Sequence, residues 1–186
     1  PVPMPSRKKV WKLTLDGALG EWDPASRLDA PGTGTEGYAL YGSYQEDAFV
    51  LALQAPAAIG PNTTLWFNTD LNTTTGFQIF GWAGGAEYNI NFGPDGRPAL
   101  YTGADGQTLV SDALPFKLSA DGTVLEIALP SALVGGAKSA NVLVDVNNAI
   151  FLPGDYASGG YRIGENSPPS LTLTPVVSSL AETANT

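Results

Sequence analysis

The 186-residue sequence contains no cysteine and no histidine. Without cysteine, the chain has neither disulfides nor thiolate metal sites. Without histidine, it lacks the usual general base near neutral pH and the commonest ligand of zinc and haem. The two absences exclude Ser-His-Asp and Cys-His catalysis and most zinc chemistry.

Basic residues are also scarce. Nine Lys and Arg stand against 18 Asp and Glu, which gives a formal net charge of −9. A surface of that sign repels the phosphate backbone of nucleic acids and anionic membranes. No run approaches about 18 continuous apolar residues, so no membrane insertion is predicted either. We therefore expect neither nucleic acid nor membrane as a partner.

Long amphipathic helical patterns are missing, and period-two alternation takes their place. Alternation of apolar and polar residues is typical of β-strands. Phe49, Leu51 and Leu53 form one apolar stripe, and Val142, Val144 and Val146 form another with Asn141, Asp145 and Asn147 opposite. Leu125, Ile127 and Leu129 share one face of a third segment, and Glu126 takes the other.

Turn signals separate the strand-like runs. Asp-Gly pairs occur at 95–96, 105–106 and 121–122, and Glu46-Asp47 lies between two runs as in a hairpin. The pattern predicts an all-β fold, a two-sheet antiparallel β-sandwich of the jelly-roll or immunoglobulin-like kind with about nine or ten strands. One short helical turn is expected after Pro130.

The chain divides into one domain and two flanking segments. Residues 1–6 have the composition of a linker, residues 7–177 contain the predicted sandwich, and residues 178–186 have the composition of a tail or second linker. We therefore expect a monomeric module within a larger secreted or extracellular protein. Such a domain without disulfides needs another source of rigidity, and bound calcium (Ca2+) is one option.

The segment 68–76, Asn-Thr-Asp-Leu-Asn-Thr-Thr-Thr-Gly, concentrates oxygen-bearing side chains. Oxygen ligands at alternating positions converge when a loop curls, and calcium prefers carboxylate, amide and carbonyl oxygens. Asp70, Asn72 and Thr74 have that spacing, and Glu87 could return a carboxylate from the next strand. The alternative is an Asn/Asp-rich turn held by side-chain-to-backbone hydrogen bonds.

Aromatic residues near amides and carboxylates predict a sugar-binding surface. A pyranose stacks its apolar C–H face on Trp or Tyr, and its hydroxyls pair with polar groups. Trp82 lies in the Gly-rich stretch 81–85, directly before a strand with two amides on one face. The predicted carbohydrate-binding residues are Trp82, Tyr88, Asn89, Asn91, Tyr44, Asp145 and Asn147, with Tyr156 and Tyr161 as further candidates. Trp11 and Trp66 are instead expected in the core, and Trp22 over the end of the sandwich.

A series of motifs follows in a fixed order along the chain. They are Asp16-Gly17 with Glu21-Trp22, the hairpin 38–53, Asp70-Leu71-Asn72 with Thr75-Gly76, Gly85-Ala86-Glu87-Tyr88, Glu126-Ile127-Ala128-Leu129-Pro130 and Val144–Ala149. In this order, over roughly residues 10–177, the chain resembles family 9 carbohydrate-binding modules and the related DOMON-like sandwiches. The resemblance implies a β-sandwich with bound calcium and, often, a sugar ligand. Some DOMON-like domains hold haem through Met and His, which this chain does not match, since it has no His and only Met4.

Two functions remain open at this point. The first is a calcium-stabilised carbohydrate-binding module of a larger secreted or cell-surface protein, with a polysaccharide or glycan as partner. The second is a structural or protein-interaction module of a bacterial surface adhesin, without a sugar ligand. A sandwich hydrolase or lyase would need paired carboxylates, such as Glu87 with Asp70 or Asp145. No strand has a dense carboxylate motif, so we predict no enzymatic activity.

Overall fold

The computed structural model of the chain describes residues 9–12, 14–30, 34–79, 85–155, 159–165 and 174–177. The fold is all-β. The strands are β1 (Lys9–Lys12), β2 (Ala39–Gln45), β3 (Ala48–Gln54), β4 (Thr64–Asn68), β5 (Tyr88–Phe92), β6 (Pro98–Thr102), β7 (Thr108–Ser111), β8 (Phe116–Leu118), β9 (Val124–Pro130), β10 (Ser139–Val146), β11 (Ile150–Leu152), β12 (Tyr161–Gly164) and β13 (Thr174–Val177).

Two antiparallel sheets pack as a sandwich. The large sheet has seven strands in the order β11-β10-β4-β5-β6-β7, with β12 also pairing with β10, and the small sheet has four in the order β2-β3-β9-β8. β1 and β13 pair separately. The predicted two-sheet antiparallel sandwich is confirmed. The two main sheets contain eleven strands rather than nine or ten, because three-residue strands such as β8 and β11 are too short to show alternation.

The main core lies between the sheets. Phe49, Leu125 and Ile127 of the small sheet pack with Phe67 and Ile90 of the large sheet, and all five are at most 1% exposed. The rings of Phe49 and Phe67 approach to 6.3 Å. Burying one such side chain contributes roughly 1.5–3 kcal/mol relative to leaving it in water. This contact holds the strand ladders face to face.

Local turn chemistry sets the connections. Glu46 and Asp47 have φ values of 50° and 57°, which is the left-handed backbone that a tight hairpin between twisted strands requires. The predicted hairpin is therefore confirmed, and β2 pairs with β3 along its whole length. The expected helical turn after Pro130 is the 3-10 turn Ser131–Val134. A second 3-10 turn spans Pro24–Ser26, and none of the described helices is long and apolar enough to cross a membrane.

Each main sheet also has a small apolar cluster on its outer face. On the small sheet, Trp22 covers Val50, Ala52 and Ala128. The expectation that Trp22 lies over the sandwich end was wrong, because the segment before the 3-10 turn Pro24–Ser26 folds back across this face. On the large sheet, Trp66 is buried as expected, but on the outer face and outside the main core.

Several predicted features lie outside the described residues. They are the linker 1–6, the tail 178–186, Trp82, Tyr156 and the side chain of Trp11.

Candidate functional site

The outer face of the large sheet contains three of the predicted ligand residues, Asn89, Asn91 and Asp145. Strand register aligns one row across it in the order Leu143, Trp66, Asn89, Tyr101 and Leu109. The row is covered at one end and open at the other. Leu143 is fully buried, whereas Leu109 is 55% exposed.

The covered end of this face lies under the long β4–β5 connection. Ile79 and Ala86 from that connection are buried against Trp66 and Leu143. Phe151 packs beside them, with its ring centroid 6.4 Å from that of Trp66. This half of the sheet therefore has a second apolar core of its own.

A second row runs beside the first and is mainly polar. Thr64 pairs in register with Asp145 on one side and with Asn91 on the other. The Thr64 hydroxyl donates to Asn91 Oδ1 at 2.7 Å, and Asn91 Nδ2 donates to Asn89 Oδ1. Asn89 Nδ2 in turn donates to the Gly106 carbonyl at 2.9 Å. The chain of hydrogen bonds ties β4, β5 and the β6–β7 turn together.

This chain of bonds changes the interpretation of the two amides. Asn89 and Asn91 do lie together on the outer face, as the alternation predicted. Asn89 is only 5% exposed, however, and its amide is paired within the protein. Buried polar groups are normally satisfied in this way. Asn91 remains half-buried beside Tyr101 at the open end.

Two predicted tyrosines point elsewhere. Tyr88 lies on the opposite face of β5 from Asn89 and packs against the main core. Tyr44 packs edge-on against Phe49, with ring centroids 5.1 Å apart. Its hydroxyl is buried and has no hydrogen-bond partner in the part of the chain that the structure describes. Neither ring lies on the outer face of the large sheet. Tyr161, on β12, also packs against the main core.

Asp145 and Asn147 are close in sequence but differ in setting. Asp145 is 9% exposed on the outer face of β10, and burial raises the pKa of its carboxyl, which a hydrogen bond from Asn148 N–H opposes. Asn147 Oδ1 accepts from Gly60 N–H at 2.9 Å and from the Thr63 hydroxyl at 3.0 Å. The Asn147 side chain therefore holds in place the loop that contains Gly60 and Thr63.

The Asp70 loop and Glu87 come together in the structure. Glu87 Oε2 accepts from Thr69 N–H at 2.7 Å, which confirms that the strand returns a carboxylate to the loop. Thr75 Oγ1 lies 2.6 Å from Asp70 Oδ2, 3.2 Å from Glu87 Oε1 and 3.1 Å from the Asn72 carbonyl. The centre of this oxygen cluster is thus Thr75, which sequence reasoning missed in favour of Thr74.

The amide of Asn72 serves the loop itself. Its Oδ1 accepts from Thr74 N–H at 3.0 Å and from the Thr74 hydroxyl at 2.8 Å. Asp70 Oδ1 accepts from Asn72 N–H at 2.8 Å. The loop closes at Gly76, whose φ is 74° and where a Cβ would lie 2.5 Å from the Ala86 backbone. Only glycine allows the two chain segments to approach this closely.

A third arrangement was not predicted. Glu126 is fully buried, although alternation indicated an exposed face for it. Its Oε2 accepts from Asp16 N–H at 2.6 Å and Gly17 N–H at 2.7 Å, and its Oε1 accepts from Trp22 Nε1 at 2.7 Å. A lone Glu in an otherwise apolar strand was the available signal, because burying a carboxylate requires such partners.

Asp16 and Glu21 complete an acidic group around Glu126. One oxygen from each of the three carboxylates lies within 4.8 Å of the others, and the described residues contain no other group of three or more acidic side chains spaced to hold a metal ion. Burial, followed by the charges of Asp16 and Glu126, raises the pKa of Glu21. Burial also raises the pKa of Glu126, and its three N–H donors oppose part of that rise.

The chain matches no protein-family model, no curated protein and no solved structure. The resemblance to family 9 carbohydrate-binding modules therefore stays a prediction from the ordered motifs. Some of those motifs are in contact in the structure. The Asp16-Gly17 and Trp22 motif meets Glu126, and the Asp70 motif meets Glu87.

Proposed function

We propose that this domain is a non-catalytic, calcium-stabilised carbohydrate-binding module of a larger secreted or cell-surface protein. The observation that supports sugar binding most directly is the uneven cover of the large sheet. Its β10–β4 half lies under an apolar cluster, whereas its β6–β7 half leaves Tyr101 half-buried beside the exposed Leu109. An aromatic ring at an open, partly polar surface is the chemistry on which pyranose rings stack.

Calcium is proposed at the Asp70 loop, where the donor set fits the ion. Thr75 has one hydroxyl proton but lies within 3.2 Å of three acceptor oxygens, two of them carboxylate oxygens. One proton cannot serve all three, and no Lys or Arg of the described residues forms an ion pair with Asp70 or Glu87. Asp70, Glu87, the Asn72 carbonyl and the Thr75 hydroxyl would hold the ion. Bound calcium would supply the positive charge that joins the loop to the start of β5.

The acidic group formed by Asp16, Glu21 and Glu126 is a weaker candidate for the calcium site. Both carboxylate oxygens of Glu126 already accept N–H groups. A carboxylate occupied in this way is a structural acceptor, and turning it to a metal would leave backbone donors without partners. We therefore assign the calcium-dependent stability to the Asp70 loop alone.

The positions of the carboxylates favour binding over catalysis. Glu126 is committed to three N–H donors, and Asp145 is buried on the covered side of the sheet. Asp70 and Glu87 share the proposed calcium loop. Together with the lack of histidine, this leaves no two of Asp70, Glu87, Glu126 and Asp145 free to act as an acid–base pair.

Calcium is tested by thermal melting in calcium and in EDTA. A ligand that binds only the folded state at 100 times its Kd adds about 2.7 kcal/mol, which is roughly 5–10 °C for a domain of this size. We expect this shift in the wild type, no shift in the double variant Asp70→Asn and Glu87→Gln, and a full shift in Asp16→Asn. A wild type that melts identically in both buffers, or a shift lost only in Asp16→Asn, would contradict the assignment.

Sugar binding is tested separately, on a glycan array and by pull-down with insoluble polysaccharide in calcium. We expect retention that soluble glycan of the same kind competes away. A folded protein retained by no glycan would refute the module's proposed ligand and favour a structural or protein-interaction role.

A further inference from the structure

An open groove of about 500 Å³ lies on the outer face of β6 and β7. Its lining includes Asp95, Arg97, Ala99, Tyr101, Leu109 and Asp112. A smaller recess of about 220 Å³ continues past the other side of Tyr101, between Asn91 and Gln107. The larger volume falls within the roughly 300–1,000 Å³ typical of small-ligand sites. None of these residues except Asn91 was predicted from the sequence.

Strand geometry presents Tyr101 to this groove. Tyr101 pairs in register with Leu109, and the β6–β7 ladder shifts register between Leu100 and Tyr101. Such irregularities re-aim side chains at sheet edges. Ala99 lies two residues earlier on the same face, and because it has no side chain beyond Cβ, it leaves space for a ligand beside the Tyr101 ring. The ring and the exposed Leu109 thus form an apolar platform beside open space.

Most polar side chains of the groove and the adjoining recess have no partner among the described residues. The Arg97 guanidinium, the Asp112 carboxylate and the Gln107 side-chain amide form no hydrogen bond or ion pair with any described residue. Their donors and acceptors are therefore free for a ligand, and they are arranged around the platform. Asp95 differs in part, because its Oδ1 accepts from Arg97 N–H at 3.0 Å.

The groove near Arg27 provides a contrast. It is smaller, about 300 Å³, and is lined by Tyr38 and Tyr41. The Arg27 guanidinium in this groove is already paired, since its Nε and Nη2 donate to Asp29 at 3.1 and 3.2 Å. The two grooves share residue types, but Arg27 is paired with Asp29, whereas Arg97 and Asp112 have no side-chain partner among the described residues.

We propose that the β6–β7 groove is the glycan subsite of the domain and that it takes neutral polysaccharides. This deepens the proposed function and rests on it. The pyranose face stacks on Tyr101, Arg97 and Gln107 donate to sugar oxygens, and Asp112 accepts from sugar hydroxyls. The ligand is neutral because Asp95 and Asp112 outnumber Arg97 in the groove and the whole chain has a charge of −9, so uronate or sulfate groups would be repelled.

Affinity electrophoresis and calorimetry of the whole domain test this subsite. The probes are mixed-linkage β-glucan, xyloglucan and galactomannan, with polygalacturonate as the anionic comparator. For Tyr101→Ala we expect at least a tenfold loss of affinity for the neutral glycan that the wild type binds, as for removal of one stacking ring. For Asp112→Asn, a substitution of an exposed side chain that leaves the core intact, we expect a loss of a few fold. Tyr38→Ala is the matched control from the other groove and should bind as the wild type does.

The outcomes separate the two proposals. If the wild type binds a neutral glycan and both Tyr101→Ala and Asp112→Asn bind it equally well, the subsite is wrong and the proposed function stands. Loss confined to Tyr38→Ala would overturn the subsite in the same way. Preference for polygalacturonate would overturn the neutral ligand class. If the wild type binds none of the glycans here or on the array, the proposed function fails, and the subsite fails with it.

Discussion

At the residue scale, Glu126 fixes the segment 16–22 to the outer face of the small sheet. One carboxylate accepts two backbone N–H groups and one indole N–H, all at 2.6–2.7 Å. Gly17 makes this possible, because its φ is 78° and a Cβ there would lie 3.0 Å from the Leu118 backbone. Trp22 is thereby held over the apolar residues of β3 and β9.

Replacing Glu126 with Gln should lower the free energy of unfolding by about 2–4 kcal/mol, because the amide has only one acceptor oxygen. Its NH2 group must then face either Trp22 Nε1 or the backbone N–H groups of Asp16 and Gly17. Urea denaturation followed by tryptophan fluorescence measures the change. The control is Glu165→Gln, which removes an exposed ion pair with Lys138 and should change stability by less than about 1 kcal/mol. Equal midpoints for Glu126→Gln and wild type would contradict this role.

At the element scale, the connection after β10 anchors the connection before β4. Asn147 has a φ of 55° and bonds three groups of the loop 58–63 through its side chain, the third being the Ala58 carbonyl at 3.0 Å. Asparagine suits this position, because it tolerates left-handed backbone and offers both an acceptor and a donor. The β10–β4 pairing depends on both connections being held in place.

Asn147→Ala should therefore destabilise the domain by about 2–4 kcal/mol, through three lost hydrogen bonds and a left-handed alanine. The matched control is the next residue, Asn148, whose φ is 56° but which lacks these side-chain bonds to the loop. Asn148→Ala should show only the backbone penalty, roughly 1 kcal/mol. Chemical denaturation of both variants measures the difference. If both lose the same amount, the side-chain bonds contribute nothing.

At the scale of the whole molecule, the free energy of unfolding should depend on pH, because folding shifts the pKa values of several carboxyl groups. Burial raises the folded-state pKa values of Glu21, Glu126 and Asp145. The folded state then takes up protons before the unfolded state as pH falls from 7, so stability rises. Asp121 acts in the opposite sense, because hydrogen bonds from Thr123 and Ser119 lower its pKa to about 2. The stabilisation of the folded state by Asp121 is lost only as pH falls from about 4 toward 2.

We therefore expect the urea midpoint in metal-free buffer to be higher at pH 5 than at pH 7. Glu21→Gln should be more stable than wild type at pH 7, since it removes one of three neighbouring carboxylate charges, and its rise toward pH 5 should be smaller. Asp23→Asn, on an exposed residue outside the group, is the control and should keep the wild-type rise. A wild-type midpoint that falls steadily from pH 7 to pH 5 would contradict the assigned directions.

The sequence by itself determined the longer strands, most of the turns and the two-sheet sandwich. Period-two alternation fixes which residues face the core, and turn residues such as Glu46 and Asp47 specify tight connections locally. The convergence of Asp70 and Glu87 could also be anticipated, because a loop and the strand after it are close along the chain.

Only the tertiary structure decided which outer faces are covered and which polar groups remain free. Glu126 meets residues about 110 positions away, and Asn89 meets the turn at Gly106. The described part of the β4–β5 connection packs over Trp66, and the open groove at Tyr101 lies on β6 and β7, at the other end of the same sheet face. Such outcomes depend on strand order and on the paths of loops across a sheet, and alternation along one strand is the same whether its outer face meets water or another segment.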